Sequence, residues 1–524
     1  MMLIIQLLIT LTLLLYSSSY HRSIISNFPI ASQIKYHKNS YSNSNRNSNS
    51  NNIKIFSKNR RKTHIYHSDV TFPISSSSSS SSSSFLSSSI TSVSEANDLK
   101  LGVLLLNLGG PEKTEDVEGF LYNLFADPDI IRLPSFLSIL QKPLAYFIAK
   151  RRAPKSSAAY ESIGGGSPIV KYTQAQADLL GKRLAGLGIE AKCYFAMRYW
   201  NPYTEEVLEE IQKDHIGTLV IVPLYPQYSI STSGSSLKLL QDVFFKEPEK
   251  WGPDKLSHTV VPAWYYRKGY LSAMGGLILN EIAKYNIDEI KEGIHVLYSA
   301  HGVPQSYIQA GDPYQRQIEE CVRLISKELI MQIQNDDLRP SSISKEAAKL
   351  LAGDLENEKC KLNIHLSFQS KVGPVQWLQP YTEEMLETLG ENGVKNLVVV
   401  PVSFVSEHIE TLEEIDMEYK EVAEEHGIVH WERSPALNMD ARFIEDMADM
   451  VVEALSTPSL SLAEAAAQEL DQQSVKDAYN EKLDGFGIDQ AEVVNGRVAM
   501  FGIFATAAIE SVLGHPIVNI LGIR

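Results

Sequence analysis

Pro202-Tyr203-Thr204-Glu205-Glu206 opens a helical pattern that leads to the apolar run Leu219-Val220-Ile221-Val222-Pro223. Pro380-Tyr381-Thr382-Glu383-Glu384 leads in the same way to Leu397-Val398-Val399-Val400-Pro401, with the same proline-to-proline distance. Upstream of each copy a further pair matches, Leu106-Asn107-Leu108-Gly109-Gly110-Pro111 with Ser299-Ala300-His301-Gly302-Val303-Pro304. Repetition at this scale, with internal spacing kept, predicts two similar half-domains facing each other across a cleft.

Laying one copy on the other sets Leu108 against His301, Ile230 against His408 and Thr232 against Glu410. The titratable side chains therefore gather in the second copy, just after its strand ends. The first half reads as a wall that holds a ligand, the second as the half that does chemistry.

From residue 101 onward, short apolar runs rich in β-branched residues alternate with amphipathic stretches of helix length. The runs cover residues 101–107, 191–196, 218–224, 258–262, 294–300, 362–368, 397–402 and 428–431. This alternation predicts an α/β fold of two parallel-sheet halves with helices on both faces, over about 97–265 and 266–457. Ligands of such folds lie outside the carboxyl ends of the strands, where Gly109-Gly110-Pro111, Arg198, Tyr225, His301, Gln369 and Glu410 fall.

A chain of 524 residues, 44% hydrophobic, has apolar material for two substantial cores. Residues 1–96 hold nine Lys or Arg against two Asp or Glu, so the rest is more acidic than the overall charge of −15. That balance argues against a nucleic-acid partner and suits the handling of a cation. Cys193, Cys321 and Cys360 are far apart and form no CxxC pair, which points to reduced, partly buried thiols rather than a disulfide framework.

Residues 1–96 read as an address. The apolar run 3–15 has the length of a signal-peptide core, and a basic, Ser- and Asn-rich tract with an unbroken serine run at 75–84 follows it. The tract has too little apolar surface to offset its ordering entropy. The two parts in series suggest a two-step route into a plastid; a secretory signal with a disordered stalk is the alternative.

Individual elements carry competing readings. Gly164-Gly165-Gly166-Ser167-Pro168 lacks the lysine of a nucleotide loop and reads as a flexible turn. Glu407, Glu410, Glu414 and Glu418 recur at steps of three and four, which places them on one face of a helix that Ser406 would cap. A solvated face gives the same pattern, but here the acids begin beside His408 directly after a buried strand, which favours a site. His301, a core histidine by default, ends a strand at a Gly-Pro turn. Imidazole and carboxylate across a cleft suit a loosely held divalent transition metal or the acceptance of protons. Tyr160, Tyr199, Tyr225 and Trp377 would line a cleft for a large flat ligand, with Arg151, Arg152 and Arg198 for its peripheral carboxylates.

The motifs around these residues, over about 101–455, resemble ferrochelatase, which inserts ferrous iron into a porphyrin. They include Lys-Arg-Arg-Ala-Pro-Lys at Lys150, Ile-Gly-Gly-Gly-Ser-Pro at Ile163, Tyr-Pro-Gln-Tyr-Ser at Tyr225, Gly-Asp-Pro-Tyr at Gly311, Phe-Gln-Ser-Lys-Val-Gly-Pro at Phe368 and Phe-Val-Ser-Glu-His-Ile-Glu-Thr-Leu at Phe404. The resemblance implies that His301 and Glu410 deliver the metal and remove pyrrole protons, with Glu414 on a secondary acidic path. It implies that Leu108, Arg152, Tyr160, Ser167, Tyr225, Trp377 and His408 enclose the macrocycle, and that Arg198 and Tyr199 form the wall facing His301. The implied fold is two Rossmann-like parallel-sheet halves with the porphyrin between them, and the implied substrates are protoporphyrin IX and ferrous iron. Where animal members hold an iron–sulfur cysteine this chain has Ile230, and no cysteine follows Cys360, so no cluster is expected.

Beyond a linker at 458–484, Glu492-Val493-Val494-Asn495-Gly496-Arg497-Val498-Ala499-Met500-Phe501-Gly502 enters an apolar run. This stretch, 485–524, resembles the chlorophyll-binding helix of light-harvesting proteins. It implies a single transmembrane helix on a thylakoid membrane, chlorophyll ligands at Glu492 and Asn495, and an ion pair from Arg497 to a partner helix. One copy cannot pair with itself, so a homodimer or a light-harvesting-like partner is implied. A soluble hairpin packed on the catalytic domain is the alternative. For the cleft, the alternatives are a non-catalytic tetrapyrrole carrier and a coproporphyrin ferrochelatase.

Overall fold

The computed structural model describes residues 100–465, except 132, 134, 354–359, 374, 458–460 and 463. The leader, most of the linker, and Glu492, Asn495 and Arg497 lie outside the described residues, so the transmembrane expectation is not addressed by them. Among the described residues no helix is long and apolar enough to cross a membrane.

The repeat is visible in the sheets. In the first half, β1 (Lys100–Asn107), β2 (Ala191–Met197), β3 (Ile216–Pro223) and β4 (Ser257–Val260) pair in parallel in the order β2-β1-β3-β4. The second half repeats this with β5 (Ile294–His301), β6 (Leu362–Gln369), β7 (Asn396–Pro401) and β8 (His430–Arg433) in the order β6-β5-β7-β8. All eight predicted runs are strands. Their central members are buried on both faces, which is why they read as continuous apolar runs.

Equivalent backbone contacts hold equivalent turns. Leu224 N donates to Leu106 O after β3, and Val402 N donates to Ser299 O after β7. Met197 N donates to Pro202 O and Phe368 N to Pro380 O, and both X–Pro bonds there are cis. Helices Thr204–Lys213 and Thr382–Glu391 follow, each with two glutamates in the first turn where the helix dipole favours them.

The halves are not two separate cores. One apolar cluster runs from Val103, Val220 and Leu180 in the first half to Val296, Val400 and Ile325 in the second. Helix Ala441–Ser456, after the last strand of the second half, buries Phe443, Met447 and Val451 in that cluster and lies against helix Ile169–Gly186, β3 and β4 of the first. The packed structure continues past residue 457. Ser461 Oγ accepts from Glu464 N and Ser461 N donates to Glu464 Oε2, a capping box, and Leu462 and Ala465 are buried with Leu256 and Trp251 of the first half.

The glycine turn after helix Gln141–Ser162 is packed at one end rather than loose. A Cβ on Gly166 would lie 2.1 Å from the carbonyl oxygen of Glu112, so only glycine fits against that backbone. Of the cysteines, Cys321 is buried, Cys193 half-buried and Cys360 exposed, and none forms a disulfide.

Candidate active site

His301 is the last residue of β5, at the carboxyl edge of the second sheet. Its backbone is pinned on both sides: its N–H donates to Ser403 Oγ (3.1 Å), and its carbonyl accepts from Tyr314 OH (2.8 Å). Its Nδ1 lies 2.8 Å from Glu410 Oε2. That leaves Nε2, on a side chain still 34% exposed, as the nitrogen able to meet a ligand.

Glu410 begins a π-helix, Glu410–Tyr419, in place of the expected α-helix. Around it stand Ser370 Oγ at 3.1 Å from Oε2 and His408 Nε2 at 3.9 Å from Oε1. Ser370 adopts a positive φ of 63°, a conformation rare for residues with a side chain. In that pose its N–H donates to Glu414 Oε1 (3.0 Å) and its hydroxyl to Glu414 Oε2 (2.7 Å), so one serine bridges both carboxylates. Tyr419 OH also donates to Glu414 Oε1 (2.7 Å).

The two acids titrate in opposite directions. Burial would raise Glu410, but His301, His408 and the Ser370 hydroxyl bring it down to about 2. Burial, reinforced by the charge of Glu410, lifts Glu414 to about 7 despite its hydrogen bonds from Tyr419 and Ser370. Burial opposes a charge on His301, yet the Glu410 carboxylate outweighs it and raises the imidazole above its ordinary range. For His408 burial wins, and its pKa falls. His301 with its raised imidazole, Glu410 with its lowered carboxyl and Glu414 poised near neutrality are therefore joined by hydrogen bonds, and His408 stands 3.9 Å from Glu410.

The acid row does not hold as one face. Glu407 turns into the protein, where its Oε1 meets Arg433 Nη1 (2.6 Å) and Ala436 N (2.9 Å). Glu418 faces solvent near Lys155 (3.6 Å). The N-cap position of this helix is Ile409 rather than Ser406, whose hydroxyl accepts from Gln176 Nε2 (3.1 Å), a residue of the first half.

The first half supplies the facing wall. Leu108 and Ile409 pack on a cluster containing buried Tyr160 and Tyr199, so the start of the π-helix touches the first half. Burial and then the charge of Glu410 push the Tyr160 hydroxyl up. Arg198 Nη2 donates to Asp127 Oδ2 (2.6 Å), its Nε to Ser235 Oγ (3.1 Å), and its guanidinium lies over the Tyr199 ring. Tyr199 OH and Ser235 Oγ donate to the same Asp127 oxygen, so this carboxylate organises the wall. Arg151 and Arg152 are exposed, with Arg152 against Phe125. Ser167 is buried on the Pro111 turn, its N–H on Pro111 O. Trp377 and Phe404 stand edge-on to His301, with centroids 6.4 and 6.3 Å away. Tyr225 OH and Trp377 Nε1 are buried without a hydrogen-bond partner among the described residues.

Sequence reasoning missed Asp127, Ser370, Tyr314, Ser403 and Tyr419. For Asp127 a signal existed: Asp127-Pro128-Asp129 directly after an apolar helical run marks a helix end whose acid can turn inward.

A family model described as ferrochelatase matches residues 100–455. A ferrochelatase of Nostoc punctiforme is 50% identical over 427 residues, covering 81% of this chain and 99% of that protein. The relative named Ferrochelatase-2, chloroplastic, of Arabidopsis thaliana is 46% identical over 456 residues, covering 84% of this chain and 83% of that protein. Its namesake in Oryza sativa subsp. japonica is 46% identical over 453 residues, covering 83% and 80%. With the repeated sheets, the His301–Glu410 pair and these likenesses together, the chain belongs to the ferrochelatase family.

Proposed function

We propose that this protein inserts ferrous iron into protoporphyrin IX to form protoheme. The observation that carries this reading is the 2.8 Å contact of His301 with Glu410 at the carboxyl edge of the sheet, opposite an aromatic and cationic wall. Insertion replaces two pyrrole protons by one Fe2+, so the site must bring a dication in and take two protons out. His301 Nε2 and the Glu410 carboxylate supply nitrogen and oxygen donors for a transition metal held by few ligands. The same groups accept protons: His301 takes one, and Glu410 passes the other through the Ser370 hydroxyl to Glu414, which at about 7 is ready to receive it.

The rest of the cleft acts on the ring. A metal enters a porphyrin only when the ring bends so that nitrogen lone pairs leave its plane. Tyr160, Tyr199 and Leu108 on one side and Trp377 and His408 on the other form a clamp that favours the bent ring over the flat one. Tyr225 OH and Trp377 Nε1 are buried donors free to meet a ligand. Arg152 and Arg198 take the peripheral carboxylates, with Ser167 fixing the turn beside them.

The reading extends to place. Relatives named chloroplastic, and the signal-like and basic parts of residues 1–96, support a plastid. The resemblance of residues 485–524 to a chlorophyll-binding helix supports a thylakoid tether there, with Glu492, Asn495 and Arg497 serving chlorophyll and a partner helix, a second copy or a light-harvesting-like protein. The three scattered cysteines favour an enzyme without an iron–sulfur cluster.

The test is anaerobic insertion by protein lacking residues 1–96, read by protoporphyrin fluorescence as ferrous iron is added, with coproporphyrin in parallel. Iron-dependent loss of fluorescence with heme formation is expected, faster for protoporphyrin. Tight porphyrin binding without insertion would make this a carrier and overturn the proposal.

A further inference from the structure

We infer that Arg433 is a positioning residue: by clamping Glu407 and Asp416 it holds the helix Glu410–Tyr419 in its π-form and so sets Glu410 against His301. This inference rests on the proposed role of the His301–Glu410 pair. Arg433 ends β8, the edge strand of the second sheet, and its side chain is 11% exposed. Its Nε and Nη2 donate to Asp416 Oδ1 and Oδ2 at 2.9 and 2.6 Å, a two-bond fork that fixes direction as well as distance. Its Nη1 donates to Glu407 Oε1 at 2.6 Å. One guanidinium thus spans the residues flanking the first turn of the helix.

The connection continues into the site. Glu407 Oε2 accepts from Thr411 Oγ1 (2.5 Å), and Thr411 Oγ1 accepts from the His408 N–H (3.1 Å). The backbone that carries His408 and Glu410 is therefore tied through Glu407 to Arg433.

The winding explains why this matters. An α-helix advances about 100° per residue, whereas the π-form closes i to i+5 and advances less. Glu410 and Asp416 lie six residues apart, so the two windings place them at clearly different angles about the axis. With Asp416 held in the fork, the π-form brings Glu410 to His301 and an α-form would carry it away. A π-helix of ten residues is rare and needs fixing from outside its own ladder.

Removing Arg433 would leave Glu407 buried and unpaired, and the protein could fail to fold for that reason alone. Asp416 is the cleaner probe, because its side chain is 32% exposed and its loss leaves the Arg433–Glu407 pair in place. The experiment compares Asp416→Asn and Asp416→Glu with the parent chain. It measures kcat and KM for iron and porphyrin, porphyrin Kd, and amide hydrogen exchange over 410–419. Asp416→Asn is expected to lower kcat about ten- to hundredfold, keep porphyrin Kd within about twofold, and speed exchange of those amides, with Asp416→Glu recovering most of the loss. Unchanged kcat and exchange in Asp416→Asn would overturn the inference, as would equal losses of kcat and porphyrin affinity. If the parent itself inserts no iron, the functional reading fails, and hydrogen exchange still decides the clamp.

Discussion

The two halves run parallel until a few residues after their third strands. Leu224 and Val402 make the same backbone bond to the central strand, and from there the first half enters the helix Ser233–Lys246 while the second enters the π-helix Glu410–Tyr419. At matched positions the first half holds Leu108, Ile230, Thr232 and Ser236, and the second holds His301, His408, Glu410 and Glu414. On the proposed function, one sheet used twice gives a wall where its loop residues are apolar or neutral and a reactive edge where they titrate. The widened helix is what lets two carboxylates and two imidazoles converge on one side of the cleft.

If that division is right, changes in the second half should alter the chemistry and changes in the first should alter binding. The largest effect is expected from Glu410→Gln or His301→Ala, each lowering turnover about 10²- to 10⁴-fold while porphyrin affinity holds, measured by insertion rate and fluorescence titration. Retained turnover in either would break the comparison.

Next comes Glu414 against its neutral counterpart Ser236. A carboxyl raised to about 7 in the fold binds a proton more tightly than in the unfolded chain, so its contribution to stability is lost as pH rises from about 4.5 to 7. The size is on the order of 3 kcal/mol. Glu414→Gln is therefore expected to melt higher than the parent at pH 8 and alike at pH 4, in thermal scans across that range. No difference at pH 8 would mean that the acid pair is less tightly coupled than the geometry shows.

Smaller effects test the first half. Chains ending at residue 457 rather than 465 lose the burial of Leu462 and Ala465, worth about 2 kcal/mol, which denaturant titration would detect without loss of insertion. Smallest is Tyr225→Phe. Removing a buried hydroxyl that has no partner among the described residues should stabilise the free protein by about 1 kcal/mol and weaken porphyrin binding several-fold, with kcat almost unchanged. A fall in kcat as large as that of Glu410→Gln would dissolve the distinction between wall and reactive edge.

Much of this was legible in the chain. Strands buried on both faces leave unbroken apolar runs, and the repeat marked the strand ends at which His301 and Glu410 lie. The inward turn of Glu407 was not legible, because its partner Arg433 lies on another strand. Four acids at steps of three and four spell an α-helix, and nothing in their spacing signals the wider winding. Ser370 carries no signal of its positive φ, since that conformation is imposed by the two carboxylates and Tyr419 around it. The shared core escaped notice because helix Ala441–Ser456 follows the second half in sequence and packs against the first.

The seat of Leu462 and Ala465 has a mechanical consequence. Whatever the residues after 465 are fastened to, a pull along the chain is taken up first by Trp251 and Leu256 beside the edge strand of the first half. The load enters on the first half, while the π-helix follows a strand of the other sheet. If the residues after 465 form the proposed tether, a pull on it reaches the first sheet before it reaches His301 and Glu410.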